Sequence, residues 1–423
     1  MDISSQNFDW LFSDSSLPSI ITEKDLKKTS IFLFSSQSSL EFLPEYFSYI
    51  SPYYVLYDAN LELSEKQKYL LSRKKAFAFD MQDHKKVLEV LDAYFMSPKG
   101  GSRFPVEQID FEPKYLSSTY KGHEKVAIDS DFGDDYKEIA RWSFGLRFHP
   151  GQKMKFMPLI NSFGKVEIRF NVFEIGLGGS EIVNKQFFDL SDHEEPFIFN
   201  NKNDAGVLSF SLSARGKGRI EIGPLHYRDS EGPFGEFIPG GQRIVDHNGQ
   251  ELFLYFNPGD LKPPLNVYFA GYRTLENFEG YPMMKSMQSP FILISDPRLE
   301  GGAFYRGSSE LENKLVDQIK KSLVWLGFDN SQMIMSGLSM GSFGALYYGA
   351  ELLPDAIIVG KPLTEIKEIA GNEKYLRPKE FSTSLDIFHY ISELSDKEAD
   401  QVFWQMIEKA DFSKTKIAIS YMI

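Results

Sequence analysis

The sequence predicts a mixed α/β protein in three parts, with an antiparallel β part between a small α/β part and a larger one. Two observations predict this division. Short apolar runs alternate with amphipathic helical stretches at both ends of the chain, whereas the middle shows period-two alternation of apolar side chains. We place the parts at residues 1–110, 111–230 and 231–423, in a chain long enough to bury more than one core.

The first part alternates strand-like runs with helical stretches. Ser64, followed three residues later by Gln67, forms a capping box that is typical of a helix start. A further helix is predicted from Asp83 to Phe95. Such alternation favours a small parallel sheet, and the absence of a glycine-rich phosphate loop argues against a nucleotide site. The predicted strands are Ser30–Ser35, Tyr53–Asp58 and Ala76–Asp80.

The middle part is predicted to be an antiparallel β-sandwich. Its strands each bury one face, and turn signals such as Phe163-Gly164 and residues 203–206 separate them. Most of its aromatic residues fall at core-facing positions, which disfavours sugar binding through exposed rings. The alternating apolar residues are Trp142, Phe144, Leu146 and Phe148, then Val166, Ile168, Phe170 and Val172, then Leu208, Phe210 and Leu212.

An acidic stretch in this middle part, Asp129–Asp135, raises the question of calcium binding. Gly133 stands where a third oxygen ligand is needed, so we interpret the stretch as a solvated loop. No metal site is predicted elsewhere, and no cysteine is available for one.

The third part begins after a segment rich in glycine and proline, residues 229–241. Asn248-Gly249 predicts a hairpin between its first two strands. Two buried strands follow, and then a helix that we expect Ser309 and Glu312 to cap and Gly327 to end. The buried strands are Asn266–Ala270 and Phe291–Ser295.

The most informative motif is Gly337-Leu338-Ser339-Met340-Gly341, a G-x-S-x-G pattern. The apolar run Gln332–Ser336 before it predicts a buried strand, and the apolar and small residues after it predict a helix. A serine at such a strand-to-helix turn is the nucleophile of α/β-hydrolases. The motif falls at the fifth strand of the third part, which we therefore predict to be an α/β-hydrolase domain with Ser339 as its catalytic nucleophile.

Acyl transfer to a serine needs backbone donors for the oxyanion. One is expected to be the amide of Met340, and the other should come from the loop after the third strand, at Gly271 and Tyr272. An ordinary strand-ending glycine is the alternative for Gly271. At the end of a neighbouring strand, Asp296 and Arg298 are predicted to line the substrate pocket, with a purely structural ion pair equally open.

The acid and histidine of a catalytic triad cannot be assigned from the sequence. In this fold they follow the seventh and eighth strands, and only His389 follows Ser339. We interpret His389 as a packing residue of a helix, because Leu385, Phe388 and Ile391 mark a helical face around it. The third part is therefore expected to be incomplete at its C-terminus.

Composition excludes several other classes. The net charge of −13 argues against a nucleic-acid partner, and no apolar run has the length of a membrane span. The amino terminus lacks the features of a signal peptide, so we expect a cytoplasmic protein.

Three stretches, NVYFAGYR, ISDPRLEGGAFYRG and SGLSMGSFGALYYGA, are similar to the accessory secretory protein two family of the Gram-positive accessory Sec export system. The resemblance implies a cytosolic factor that acts with accessory secretory proteins one and three and the accessory SecA motor, meeting the membrane only through that complex. Its cargo would be serine-rich-repeat glycoprotein adhesins.

The resemblance also implies O-acetylation of N-acetylglucosamine on the adhesin by a serine, acid and histidine triad. The serine corresponds to Ser339, no cofactor is implied, and the acyl donor is unspecified. The acid and histidine lie past Ile423, which implies C-terminal truncation of this chain. Two alternatives remain open: a non-catalytic scaffold of the export complex, and a carbohydrate esterase.

Overall fold

The structure is a computed structural model, and the residues it describes are arranged mainly in three β-sheets. A short two-stranded ribbon lies between the second and third sheets along the chain, and eleven α-helices accompany the strands over the described ranges. The described residues are 21–95, 99–115, 118–149, 152–179, 181–190, 196–200, 205–230, 232–378, 382–393 and 399–421.

The first sheet confirms the predicted alternation of strands and helices. Its strands are parallel and pair in the order β1-β2-β3. The predicted capping box is present at the start of α4, where the Ser64 amide donates to Oε1 of Gln67 at 2.9 Å. The elements are α1 (Glu23–Lys28), β1 (Phe32–Phe34), α2 (Gln37–Leu40), α3 (Leu43–Tyr46), β2 (Val55–Asp58), α4 (Glu65–Arg73), β3 (Phe77–Phe79) and α5 (His84–Tyr94).

The second sheet is antiparallel, as predicted, but hydrogen bonds join its nine strands over the described residues into one sheet rather than two. The central order is β10-β9-β12-β7-β5, with β11 on β9, β4 and β8 on β12, and β6 on β7. The strands are β4 (Gly101–Phe104), β5 (Ile109–Phe111), β6 (Thr119–Lys121), β7 (Lys125–Trp142), β8 (Leu146–Phe148), β9 (Lys153–Gly176), β10 (Ile182–Asp189), β11 (Phe197–Asn200) and β12 (Gly206–Asp229).

The long strands of this sheet bend back over their own core. The rings of Phe156 and Phe170 on β9 lie 6.4 Å apart. At ~3.3 Å per residue a straight strand would separate these residues by about 46 Å. The bend passes through Gly133, Gly164 and Gly216, with φ of 85°, 95° and 87° on three adjacent strands. A single bent sheet thereby encloses the apolar core that we had assigned to two sheets.

Two local predictions in this sheet were wrong. Phe163-Gly164 lies inside β9 and forms the bend, not a turn between strands; the other predicted turn lies partly outside the described residues. Asp129–Asp135 lies within β7, so it is a largely exposed strand segment and not a loop. In the described part of the chain, no group of three or more acidic or histidine side chains is placed to hold a metal ion.

The third sheet has seven strands in the order β15-β16-β18-β17-β19-β20-β21 over the described residues. The first two strands form the predicted hairpin, β16 pairs antiparallel with β18, and the remaining pairs are parallel. The strands here and in the preceding ribbon are β13 (Gly235–Glu236), β14 (Ile238–Pro239), β15 (Gly241–Val245), β16 (Glu251–Asn257), β17 (Leu265–Phe269), β18 (Phe291–Ser295), β19 (Met333–Leu338), β20 (Ala356–Gly360) and β21 (Lys416–Ser420).

The helices that accompany this sheet include the long helix predicted before the serine motif. Its N-cap is Ser308, whose hydroxyl accepts from the Leu311 amide, so the predicted cap at Ser309 with Glu312 was one residue late. Gly327 ends it, as predicted. No helix in the described ranges combines the length and hydropathy of a membrane span. These helices are α6 (Tyr281–Ser286), α7 (Ser309–Leu326), α8 (Met340–Leu352), α9 (Ile366–Leu376), α10 (Ser384–Glu393) and α11 (Ala399–Lys409).

We predict that Gly216→Ala lowers the free energy of unfolding by more than about 2 kcal/mol, because the left-handed backbone is strained by any side chain. The new Cβ would also overlap the carbonyl oxygen of Lys165. Urea denaturation monitored by circular dichroism measures the change.

Two control variants separate the causes of that loss. Gly249 has φ of 74° and open space around it, so Gly249→Ala should cost only the strain, about 1–2 kcal/mol. Gly371 lies inside α9 with open space, so Gly371→Ala should stabilise by about 0.5–1 kcal/mol. Equal losses for Gly216→Ala and Gly249→Ala would contradict the role given to the close contact in the bend.

Candidate active site

Ser339 lies at a sharp corner between β19 and α8. Its backbone has φ of 55° and ψ of −123°, a conformation that is rare for a residue with a side chain. A Cβ at Gly341 would overlap the carbonyl oxygen of Phe269, and one at Gly337 would overlap that of Gly341. The two glycines therefore let the helix start directly against the sheet, with Ser339 partly exposed at the carboxyl end of β19.

The backbone of this corner is held by hydrogen bonds. The Ser339 amide donates to the carbonyl oxygen of Gly360 at 2.9 Å. The Ser342 hydroxyl donates to the Ser339 carbonyl oxygen at 2.5 Å and accepts from the Leu363 amide at 3.0 Å. Within the described residues, no side chain hydrogen-bonds to the Ser339 hydroxyl.

The predicted oxyanion donors lie beside this corner. Met340 is the first residue of α8, so its amide has no acceptor within the helix. The loop that follows β17 also reaches the corner, since a Cβ at Gly271 would lie 3.4 Å from the carbonyl oxygen of Leu338. The next residue, Tyr272, packs its ring against Gly301.

One residue at this corner was missed by the sequence analysis. The Gly271 amide donates to Oε2 of Glu279 at 2.7 Å, so a carboxylate already occupies one predicted oxyanion donor. Burial, with the charge of Glu279 adding to it, raises the pKa of Tyr268 to about 12. The periodicity of the sequence gives no signal for this contact, because Glu279 reaches the Gly271 amide through an irregular loop.

Asp296 and Arg298 form a buried ion pair. The Arg298 guanidinium donates from Nε to Oδ1 at 2.8 Å and from Nη2 to Oδ2 at 2.7 Å. The amides of Ala303 and Tyr305 donate to the same carboxylate at 2.9 and 3.0 Å. Burial alone would lower the pKa of Arg298, but the charge of Asp296 outweighs it and raises that pKa. The pair folds residues 296–305 into a compact loop.

Arg298 also borders a cavity of about 150 Å³ between the second and third sheets. Its Nη1 donates to the Tyr390 hydroxyl at 2.7 Å, and Asp386 and His123 line the same cavity. Among the described residues that line it, Ser339 is absent. The role of Asp296 and Arg298 in a substrate pocket at Ser339 stays a prediction.

The histidines do not meet the serine. His389 lies on α10 with its side chain exposed, so the interpretation of His389 as a packing residue was wrong. His226 is buried and bonded to Glu276, whereas His123 and His247 pair with carboxylates at exposed positions. No hydrogen bond joins any histidine of the described ranges to Ser339. The acid and histidine expected past Ile423 stay a prediction.

The fold and site define a mixed α/β protein with a serine at a strained strand-to-helix corner. The family model described as "Asp2: Accessory Sec system GspB-transporter" matches residues 2–423. This chain therefore belongs to the Asp2 family of the accessory Sec system. The match does not show that this chain is truncated at its C-terminus, and that expectation stays a prediction.

Relatives and a solved structure agree with this assignment. The accessory Sec system protein Asp2 of Staphylococcus aureus strain NCTC 8325 / PS 47 is 44% identical over 338 residues, which are 78% of this chain and 65% of that protein. The Asp2 protein of Streptococcus gordonii is 34% identical over 98% of this chain and 84% of its own length. This chain thus spans slightly less than two thirds of the S. aureus relative.

The structural match is to a chain of the Glycosylation Associate Protein (Gap123) complex from Streptococcus agalactiae. Its TM-score is 0.84 at 35% identity, covering 93% of this chain and 77% of the other. The architecture described above is therefore shared with a chain that is part of a complex.

We predict that Arg298→Met costs about 3–5 kcal/mol of unfolding free energy, because it leaves the Asp296 carboxylate buried without its cation. Chemical denaturation measures the loss. Arg215→Met is the matched control, since Arg215 pairs with Glu167 at the surface and should change stability little. A loss for Arg298→Met as small as that of the control would show that the pair is not needed to fold the loop.

Proposed function

We propose that this chain is an export factor of the accessory Sec system whose third part acts as a serine-dependent O-acetyltransferase. The acceptor would be N-acetylglucosamine on a serine-rich-repeat glycoprotein, and Ser339 would carry the acetyl group. The observation that carries the enzymatic half is the backbone of Ser339, which holds a positive φ between two glycines that no larger residue could replace.

The strand order of the third sheet supports this proposal. An antiparallel second strand, followed by parallel strands with the serine after the fifth, is the arrangement of the α/β-hydrolase fold. In that fold the corner presents the serine hydroxyl at the carboxyl edge of the sheet. Ser339 occupies that position, directly after β19.

The chemistry would proceed in two transfers. The Ser339 oxygen attacks the carbonyl carbon of an activated acetyl donor, a histidine takes the serine proton, and the donor group leaves with that proton. A sugar hydroxyl then attacks the acetyl-serine and its proton returns to Ser339. The negative oxygen of each tetrahedral intermediate would be stabilised by the amide of Met340 and a second donor from the loop after β17.

The export half of the proposal rests on the family. The related chain from S. agalactiae belongs to a complex named for glycosylation. We infer that this chain works in the cytoplasm with accessory secretory proteins one and three and the accessory SecA motor.

A second candidate function is a non-catalytic scaffold of the same complex. It is favoured by two observations: within the described residues, no histidine hydrogen-bonds to Ser339, and the Gly271 amide donates to Glu279. A scaffold needs the fold but not the serine hydroxyl, so the two functions differ in what Ser339→Ala does.

We predict that a fluorophosphonate probe labels Ser339 in the protein expressed from the complete gene, because the corner between β19 and α8 exposes the hydroxyl and a triad would activate it. Intact mass spectrometry and peptide mapping detect the adduct. Ser339→Ala should abolish labelling and the acetylation of a glycopeptide carrying N-acetylglucosamine, while Ser331→Ala, an exposed serine before β19, should change neither.

Unchanged acetylation in Ser339→Ala protein would reject the acetyltransferase and leave the scaffold. Release of free acetate without sugar acetylation would instead identify an esterase, in which water accepts the acetyl group.

A further inference from the structure

We propose that Arg228, His226 and Arg103 of the antiparallel sheet are positioning residues for the site at Ser339. They hold the two loops that border the serine, which we define as loop A (residues 271–280) and loop B (residues 296–308). We call these three side chains and their contacts to the two loops the clamp. Its effect on catalysis rests on the proposed function, but its effect on the position of the loops can be measured separately.

The two loops pack against each other and against both sides of the serine. Loop A touches the residue before Ser339 through Gly271 and Leu338, as described above. Loop B touches the residue after it, because Gly302 packs against the Met340 side chain. The Arg273 amide of loop A donates to the Gly301 carbonyl oxygen of loop B at 3.3 Å. Movement of either loop would therefore change the surroundings of the serine.

The antiparallel sheet holds loop A through one buried carboxylate, Glu276. His226 and Arg228, which share one face of β12, contact its two oxygens: Nδ1 of His226 at 2.6 Å and Nε of Arg228 at 2.7 Å. Glu276 is only 2% exposed. Its backbone also pairs with Gly101 of β4 through hydrogen bonds of 2.8 and 2.9 Å.

Arg103 connects the same sheet to both loops. Its Nη2 lies 3.6 Å from Oε1 of Glu276 in loop A and donates to the carbonyl oxygen of Pro297 in loop B. The register of β4 on β12 places Arg103 directly opposite His226. One edge of the antiparallel sheet thereby holds loop A and loop B at a fixed separation.

Arg228 extends the clamp to the core of the third sheet. Its guanidinium bonds to both oxygens of Glu251 on β16, and Nε of Arg243 reaches the same carboxylate at 2.6 Å. Burial alone would raise the pKa of Glu276, but the charge of Arg228, with the contacts to His226 and Arg103, outweighs it and lowers that pKa to about 2. The Glu276 carboxylate therefore stays charged. Its contacts with His226, Arg228 and Arg103 hold loop A at a fixed position relative to the antiparallel sheet.

The test uses three variants of the complete protein. Arg228→Met removes the cation that Glu276 and Glu251 share. Arg228→Lys keeps the charge but loses the planar guanidinium group, and Glu276→Gln keeps the shape of the side chain but loses its charge. Arg219→Met is the matched control, because Arg219 lies on the same strand and pairs with Asp129 at the surface. Thermal melts identify which variants are folded.

Hydrogen–deuterium exchange measures the clamp without requiring activity. We expect faster exchange of loop A and loop B in folded Arg228→Met and Glu276→Gln protein, with β19 and α8 unchanged, and an intermediate effect in Arg228→Lys. If Arg228→Met does not fold, the other two variants carry the test. Unchanged loop exchange in a folded Glu276→Gln variant would overturn the proposal.

Labelling of Ser339 by the fluorophosphonate probe measures the consequence for the site. Displacing a donor by about 1 Å costs on the order of 100-fold in rate, so the maximal labelling rate should fall while the half-saturating probe concentration changes little. Failure of the unmodified protein to be labelled would reject the proposed function alone, whereas labelling that is unchanged in variants with mobile loops would reject the positioning role.

Discussion

The contact between Gly341 and the carbonyl oxygen of Phe269 is the constraint on which the site depends. Helix α8 begins so close to β17 that no Cβ fits at this position, and the chain can enter the helix only by a sharp turn at Ser339. A residue with a side chain in such a conformation costs about 1–3 kcal/mol. The cost is tolerated because Gly360, Ser342 and Leu363 hold the turn from neighbouring elements.

The helix that follows this turn is buried almost all round, and buried hydroxyls fix its surroundings. The Tyr348 hydroxyl on α8 donates to the Tyr305 carbonyl oxygen at 2.7 Å, and the Tyr305 hydroxyl donates to the Ala270 carbonyl oxygen at 2.6 Å. Burial raises the pKa of both tyrosines, so both stay protonated and remain donors. The helix, loop B and the end of β17 are thus joined by directional bonds rather than by apolar contact alone.

Features set by neighbouring residues were predictable from the sequence. The capping box at Ser64, the Asn248-Gly249 turn and the glycines around Ser339 each depend on a few adjacent positions, and each lies where it was expected. The bend at Gly216 was not predictable, because a glycine in a strand signals a turn and a bend equally well. Glu276 and Glu279 were missed for another reason: their partners are distant in sequence, and an irregular loop carries no period that would reveal them.

The positions of Glu276 and Glu279 in one loop have opposite consequences for the proposed chemistry. Glu276 is fixed by the sheet, which keeps the first half of loop A beside the serine. Glu279 places its carboxylate on the Gly271 amide, and an oxyanion cannot bind there at the same time because like charges repel. The Glu279 side chain would therefore have to leave the Gly271 amide before an oxyanion could bind. The backbone beside it is held in place, because Phe278 is buried against Phe237 and Tyr255. Acylation of Ser339 would thus need a fixed loop A in which the Glu279 side chain alone turns away.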